Sequence, residues 1–260
     1  MDKSAATDSP PLLRVEGLAR SYEQPGGQPL AGGTIESATL TVLKSIDLTI
    51  RRGEMVSIVG RSGAGKSTLL QIMGTLDRPT AGRVLYDGEP VFDLSPKKLA
   101  AFRNKRIGFI FQFHHLLAEL SAVENAMLPL LIGGTKPKAA EKIAREYLDL
   151  VGLSARASHK PGELSGGEAQ RVAVARALVQ SPDIVFADEP TGNLDTRTSD
   201  DIHGLLVDLN ARLGTAFVIV THNVKLAWLM RRHLLIADGQ VRELRDDEAP
   251  EEFLPKKENP

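Results

Sequence analysis

Between Met55 and Met73 the chain runs from a short apolar stretch, Met55-Val56-Ser57-Ile58-Val59, through Gly60-Arg61-Ser62-Gly63-Ala64-Gly65-Lys66-Ser67, into a helix-like run from Thr68 to Met73. The middle segment fits G-x-x-x-x-G-K-[ST], and strand, glycine turn and helix in that order point to an α/β fold with a parallel sheet. The chemistry explains the spacing. The glycines let the backbone curl so that successive N–H groups point inward, and the following helix offers its positive end to the same anion. Lys66 supplies a point charge to the outer phosphates, and Ser67 can offer its hydroxyl to Mg²⁺. Arg61 and Ala64 act through their backbone alone, and Thr68 completes the set at the helix start. A flexible glycine turn is the rival reading, and the flanking strand and helix weigh against it.

Two further apolar runs share the pattern of a strand buried on both faces: Ile184-Val185-Phe186-Ala187 and Ala216-Phe217-Val218-Ile219-Val220. Each ends in reactive residues, Asp188-Glu189 and Thr221-His222. Parallel sheets place ligands just beyond the carboxyl ends of their strands, so three such ends predict one shared site. Beside a phosphate loop, Asp188 is expected in the Mg²⁺ shell. Glu189 is expected to orient or deprotonate an attacking water. Without that loop, two acids after a strand would read as a helix cap or a solvated turn.

Leu164-Ser165-Gly166-Gly167-Glu168 precedes a helix-like stretch from Ala169 to Val179. A serine and two glycines at a helix start make a second anion site from amides, a hydroxyl and the helix dipole, or else a plain N-cap.

Composition narrows the classes. With 260 residues the chain can bury a sizeable core. It has no cysteine, which excludes disulfides, thiolate metal sites and thiol catalysis and fits a reducing compartment. Lys and Arg number 32 against 33 for Asp and Glu, so no bulk attraction to nucleic acid is expected. The polar start carries no signal-like apolar stretch, and Ala126 to Ile132, the most lipid-like segment, is too short to span a bilayer. No direct membrane insertion is expected. Residues 1–11 read as a disordered tail, and 12–245 as one domain with a helical subdomain at about 115–170. Residues 24–34 read as a Gly/Pro-rich surface loop, and 246–260, with six acidic residues and three prolines, as a solvated acidic tail.

The set of the phosphate loop, Gln112, Leu164–Glu168, Asp188-Glu189 and His222 resembles the ATP-binding-cassette (ABC) ATPases, from about Leu13 to about Arg242. The resemblance implies a P-loop core with a parallel sheet, an N-terminal antiparallel β region and an α-helical subdomain. It also implies a head-to-tail homodimer, in which ATP on one subunit's loop is capped by the partner copy's equivalent of Ser165-Gly166-Gly167. In that scheme Gln112 links Mg²⁺ and the γ-phosphate to integral membrane transporter subunits, and His222 contacts the γ-phosphate. Tyr22 stacks on adenine, and Asp195, in Gly192-Asn193-Leu194-Asp195, lies across the dimer interface. Gly74–Pro79, Ile107–Leu117 and Thr191–Asp195 look like the lipoprotein-releasing branch, which belongs with the macrolide-exporter and cell-division branches. Such subunits sit on the cytoplasmic face of the inner membrane. Ala118, Ala169, Asn223 and an insertion at 24–41 depart from that branch's usual pattern. A soluble ABC protein of translation or repair would carry two cassettes or a coiled-coil insertion, and a small-molecule kinase would lack the second anion motif.

Overall fold

The computed structural model describes residues 10–24 and 38–245. The glycine-rich loop is therefore outside the described residues except for Gln24. So are the acidic tail and all of the N-terminal tail but Pro10-Pro11. Strands β1 (Leu13–Gln24), β2 (Ala38–Ile50), β4 (Ala81–Tyr86) and β5 (Glu89–Pro90) form an antiparallel sheet in the order β2-β1-β4-β5. Residues 38–41, read as the end of an insertion, are the first residues of β2.

The second sheet has the order β10-β9-β3-β8-β7-β6. Its members are β3 (Met55–Val59), β6 (Ile107–Phe111), β7 (Ile184–Asp188), β8 (Ala216–Val220), β9 (Arg232–Ala237) and β10 (Gln240–Leu244). All its pairings are parallel except β9 with β10. The three apolar runs are β3, β7 and β8, side by side at its centre, and β3 and β8 are buried at every position.

Alternation along these strands divides the interior in two. Ile184 and Phe186 of β7, with Val218 and Val220 of β8, face a core shared with β1, β2 and helix α1 (Lys66–Met73). Val185 and Ala187, with Phe217 and Ile219, face a core formed with α3 (Ala122–Ile132), α4 (Pro137–Leu150), α5 (Gly166–Leu178), α6 (Thr196–Leu213) and α7 (Val224–Trp228). Each large side chain so buried contributes roughly 1.5–3 kcal/mol. Helix α2 (Pro96–Arg106) leads directly into β6. Among the described residues no helix is long and apolar enough to cross a membrane.

At the end of the sheet away from the expected site, four charges close a ring. Arg52 precedes β3, Arg106 precedes β6, Asp183 precedes β7, and Asp87 sits in the β4–β5 turn at φ 51°. Arg52 bonds Asp87 at 2.7 Å and Asp183 at 3.0 Å, and Arg106 bonds the second oxygen of each. The ring ties the antiparallel sheet to the parallel one. Burial pushes the Asp87 carboxyl up, but hydrogen bonds and charge from Arg106 and Arg52 outweigh it and hold the group below the usual carboxylate range. A carboxyl depressed in the folded state adds stability above its unfolded value of about 3.9 and loses it as pH falls through the folded one. Asp87→Asn is therefore expected to lower the melting temperature at neutral pH. Its gap from wild type should close below about pH 4 in melting curves followed by circular dichroism.

Candidate functional site

The parallel strands β3, β6, β7 and β8 deliver their ends to one edge, which brings Gly60, Gln112, Asp188, Glu189 and His222 together. Between β3 and α1 the chain turns through Gly60 at φ 152°, Gly63 at φ 78° and Gly65 at φ 101°. Gly65 occupies the N-cap position of α1 and offers no side chain to the helix's first N–H groups. Those donors are orphans aimed outward, a ready anion site. A Cβ on Gly65 would lie 2.7 Å from Leu43 Cδ2, so glycine is required there by space as well as by φ.

A cleft of about 570 Å³ opens at this turn, lined by Ser62, Gly63, Gly65, Lys66, Ser67 and Thr68 from the loop and by Gln112, Asp188 and Glu189 from the other strand ends. Gly60, Arg61 and Ala64 line a second cavity on the loop's other side, toward β9 and the start of β2. Lys66 Nζ donates to the carbonyls of Gly60 at 2.8 Å and Arg61 at 3.0 Å, which keeps the ammonium inside the loop.

Asp188 and Glu189 are held differently. Burial pushes the Asp188 carboxyl up, a hydrogen bond from Ser67 opposes that, and Glu189 beside it raises it again. The Ser67 hydroxyl and the Lys66 charge together do not offset that burial, so the carboxylate is incompletely compensated. An oxygen-seeking cation fits there.

Glu189 stands at φ 48°, a strained conformation for a residue with a Cβ. Its Oε2 accepts from the Thr221 hydroxyl at 3.1 Å. Its Oε1 accepts from the His222 backbone N–H at 2.9 Å and lies 2.7 Å from His222 Nδ1. The rest of the His222 ring is exposed. Asn223 caps α7 by accepting from Leu226 N–H at 3.1 Å, so it serves the helix as an aspartate would.

Other expected residues lie outside the cleft's lining. Tyr22 is on β1, its hydroxyl donating to Asp77 at 3.1 Å and its ring under the Arg20 guanidinium. Ser165 caps α5 in a reciprocal box: its hydroxyl accepts from Glu168 N–H at 3.2 Å, and the Glu168 carboxylate accepts from Ser165 N–H at 2.8 Å. The helix thus begins at Gly166, three residues earlier than the sequence pattern suggested. Asp195 caps α6 through Thr198 N–H at 3.0 Å. The two first turns touch: a Cβ on Gly167 would lie 2.4 Å from Thr198 Cγ2, and one on Gly166 3.3 Å from Leu194.

Sequence reasoning missed Val42, Phe111, Phe113 and His115 in the cleft wall and Thr221 as a holder of Glu189. Only Thr221 had a signal, its place between an apolar strand and His222. It also missed that Gln112 Nε2 donates to Asn193 Oδ1 at 3.0 Å while Asn193 Nδ2 donates to the Gln112 carbonyl at 3.2 Å.

The ABC transporter family profile matches residues 43–192. The chain belongs to the ABC transporter family. It is 60% identical to the lipoprotein-releasing system ATP-binding protein LolD of Geobacter metallireducens, over 88% of this chain and 97% of that one. The protein of the same name from Bacteroides thetaiotaomicron is 56% identical, over 89% and 99%. Among solved structures, the dimeric bacterial ABC transporter cassette MJ0796 superposes with a TM-score of 0.77 at 39% identity, covering 90% of this chain and 98% of that one. A post-hydrolysis state of that cassette bound to ADP and Pi gives 0.77 at 38%. The α/β P-loop architecture here is thus that of an ABC ATPase.

In this ABC cassette the contact between α5 and α6 is tight enough to test. Gly167→Ala should destabilise the chain by about 1–3 kcal/mol through its clash with the Thr198 methyl. Adding Thr198→Ser, which removes that methyl and keeps the hydroxyl on Asp195, should restore most of the loss in urea denaturation.

Proposed function

We propose that this chain is the ATP-binding and ATP-hydrolysing subunit of an ABC complex that releases lipoproteins from the inner membrane. It would act on the cytoplasmic face as a homodimer bound to separate integral membrane subunits. The observation that carries the reading is the likeness, over almost the full length of both chains, to ATP-binding proteins of lipoprotein-releasing systems. The two copies are proposed to pack head to tail, so that ATP on one phosphate loop meets Ser165-Gly166-Gly167 of the other copy. Asp195 then lies at the junction, and the dimeric form of a similar cassette supports a paired arrangement.

In this reading the N–H groups from Gly63 to Thr68 hold the β- and γ-phosphates, and Lys66 turns from its loop carbonyls toward them. Tyr22 supports the adenine. Asp188, Ser67 and Gln112 would hold Mg²⁺, which when bound neutralises developing charge on the phosphate oxygens. Glu189 orients the attacking water and takes its proton. With one oxygen held by Thr221 and the other by His222, the carboxylate keeps a fixed plane toward the cleft. His222 presents the exposed edge of its ring to the γ-phosphate. Closure of the second copy over the cleft excludes water and sets the line of attack. Loss of the γ-phosphate then removes the bridge between the copies, and that difference in affinity is what can do work on the membrane subunits.

Glu189→Gln is expected to bind ATP within about threefold of wild type while kcat falls at least ~100-fold. The ATP-bound dimer should persist in size-exclusion chromatography, and rapid hydrolysis by this variant would sink the base assignment. The same variant, purified with ATP from detergent-solubilised membranes, should carry with it membrane proteins with large extracytoplasmic domains and lipid-modified cargo. Recovery of no membrane protein would move the reading to a soluble ABC function.

A further inference from the structure

Helix α5 carries more than Ser165. Five residues along, Gln170 is 2% exposed. Its Nε2 donates to the Phe111 carbonyl at 3.2 Å and to the Pro190 carbonyl at 2.7 Å. A primary amide nitrogen has two protons, and both are used. Phe111 is the last residue of β6, directly before Gln112, and Pro190 directly follows Glu189. One side chain thus bonds the backbone next to two residues that the proposed function assigns to hydrolysis.

The same helix grips the first of these loops again farther on. The half-buried Arg176 donates to the His114 carbonyl at 2.6 Å and the His115 carbonyl at 2.8 Å, and His115 stands at φ 47°. A methionine would occupy the Gln170 site without the penalty of burying an amide, a penalty offset only where the amide finds carbonyls that would otherwise be unbonded. The ends of β6 and β7 are already paired with each other, Phe111 opposite Asp188, so what the amide adds is a tie from that pair of ends to α5.

We infer that Gln170 is a positioning residue for ATP hydrolysis: its amide ties the paired ends of β6 and β7, and with them the loops of Gln112 and Glu189, to the helix that presents Ser165. A displacement of α5, such as one caused by an anion engaging its N-terminus, is then felt at both loops through two hydrogen bonds. The inference rests on the function proposed above for the roles of Gln112, Glu189 and Ser165.

The test uses the full chain with Gln170→Met, a good helix former of similar length that lacks both donors. Steady-state ATP hydrolysis, binding of a fluorescent ATP analogue and backbone hydrogen exchange are measured beside wild type. We expect kcat to fall by about ten- to a hundredfold, with KM and analogue affinity within about twofold, because the phosphate loop is untouched. Exchange should rise at residues 111–115 and 189–193 while β3 and β8 stay protected. A wild-type kcat overturns the inference, as does an affinity loss equal to the kcat loss or a rise in exchange through β3 and β8. If the methionine variant does not accumulate, Gln170→Asn, which keeps the amide but withdraws it by one methylene, is read by the same criteria. Failure of the parent reading shows in the wild-type chain as absent hydrolysis. Failure of this inference shows as a hydrolysing wild type matched by its variant.

Discussion

Strands β3, β7 and β8 bury both of their faces, and Asp188 at the end of β7 is the one charged residue among them. A charge buried farther inside would lack partners and would be disfavoured by several kcal/mol. Gly60, Gln112, Asp188, Glu189 and His222 all lie where a strand stops. At one edge the stops carry Gly60, Gln112, Asp188 and His222. At the other, the residues just before the strands carry Arg52, Arg106 and Asp183, which pair with Asp87 from the second sheet. The apolar interior fixes the distance between these edges, and the charged ring fixes the antiparallel sheet against it. Reactive residues far apart in sequence keep their geometry for that reason.

Glu189 shows what this arrangement costs locally. It sits in a left-handed conformation, and its carboxylate faces Asp188 at a half-buried strand end. Two carboxylates so close would repel each other in the absence of donors, and the structure supplies three: the Thr221 hydroxyl, the His222 N–H and the His222 ring. All three come from the end of β8, so the pairing of β7 with β8 also sets the orientation of Glu189. The register Asp188 opposite Val220 places Thr221 and His222 next to it. A one-residue slip in that register would exchange the faces of the strand and remove the donors together.

Much of this was legible in the sequence because it is local. The runs at 55–59, 184–187 and 216–220 announce themselves as strands by lacking polar alternation, and the glycine spacing before Lys66 announces the turn. What was not legible depends on distant partners. Strand β9 begins Arg232-His233, which reads as polar, and is drawn into the sheet by pairing with β3. His233 is buried because Ser57 Oγ lies 2.9 Å from its Nδ1 and Trp228 stacks on its ring. The charged ring joins positions 52, 87, 106 and 183, which lie too far apart along the chain for any local pattern to show them together. Gln170 reads as one more polar residue on a helix until its two carbonyl partners, 59 and 20 residues away, are in place.

The two helix starts that the sequence marked as anion sites are built for different strengths of capture. Helix α1 begins at a glycine in the left-handed conformation and has no side-chain cap, so its first amides are free of intramolecular competition. Helix α5 begins at Ser165, whose hydroxyl and N–H are both engaged by Glu168, itself bonded by Arg156 at 2.9 Å. Backbone and hydroxyl hydrogen bonds from Ser165, with Arg156 behind them, hold the Glu168 carboxyl below its usual range, so it stays charged at neutral pH. An anion approaching α5 must displace that carboxylate from the serine and bear its repulsion, whereas one approaching α1 meets uncapped N–H groups and the Lys66 ammonium, with Asp188 and Glu189 elsewhere in the cleft wall. The first site suits tight holding, and the second suits contact that forms when an anion is presented and breaks when its charge falls. Under the function proposed above, a chain that carries both would keep a nucleotide while releasing its neighbour, which is the asymmetry a repeating cycle of closure and opening requires.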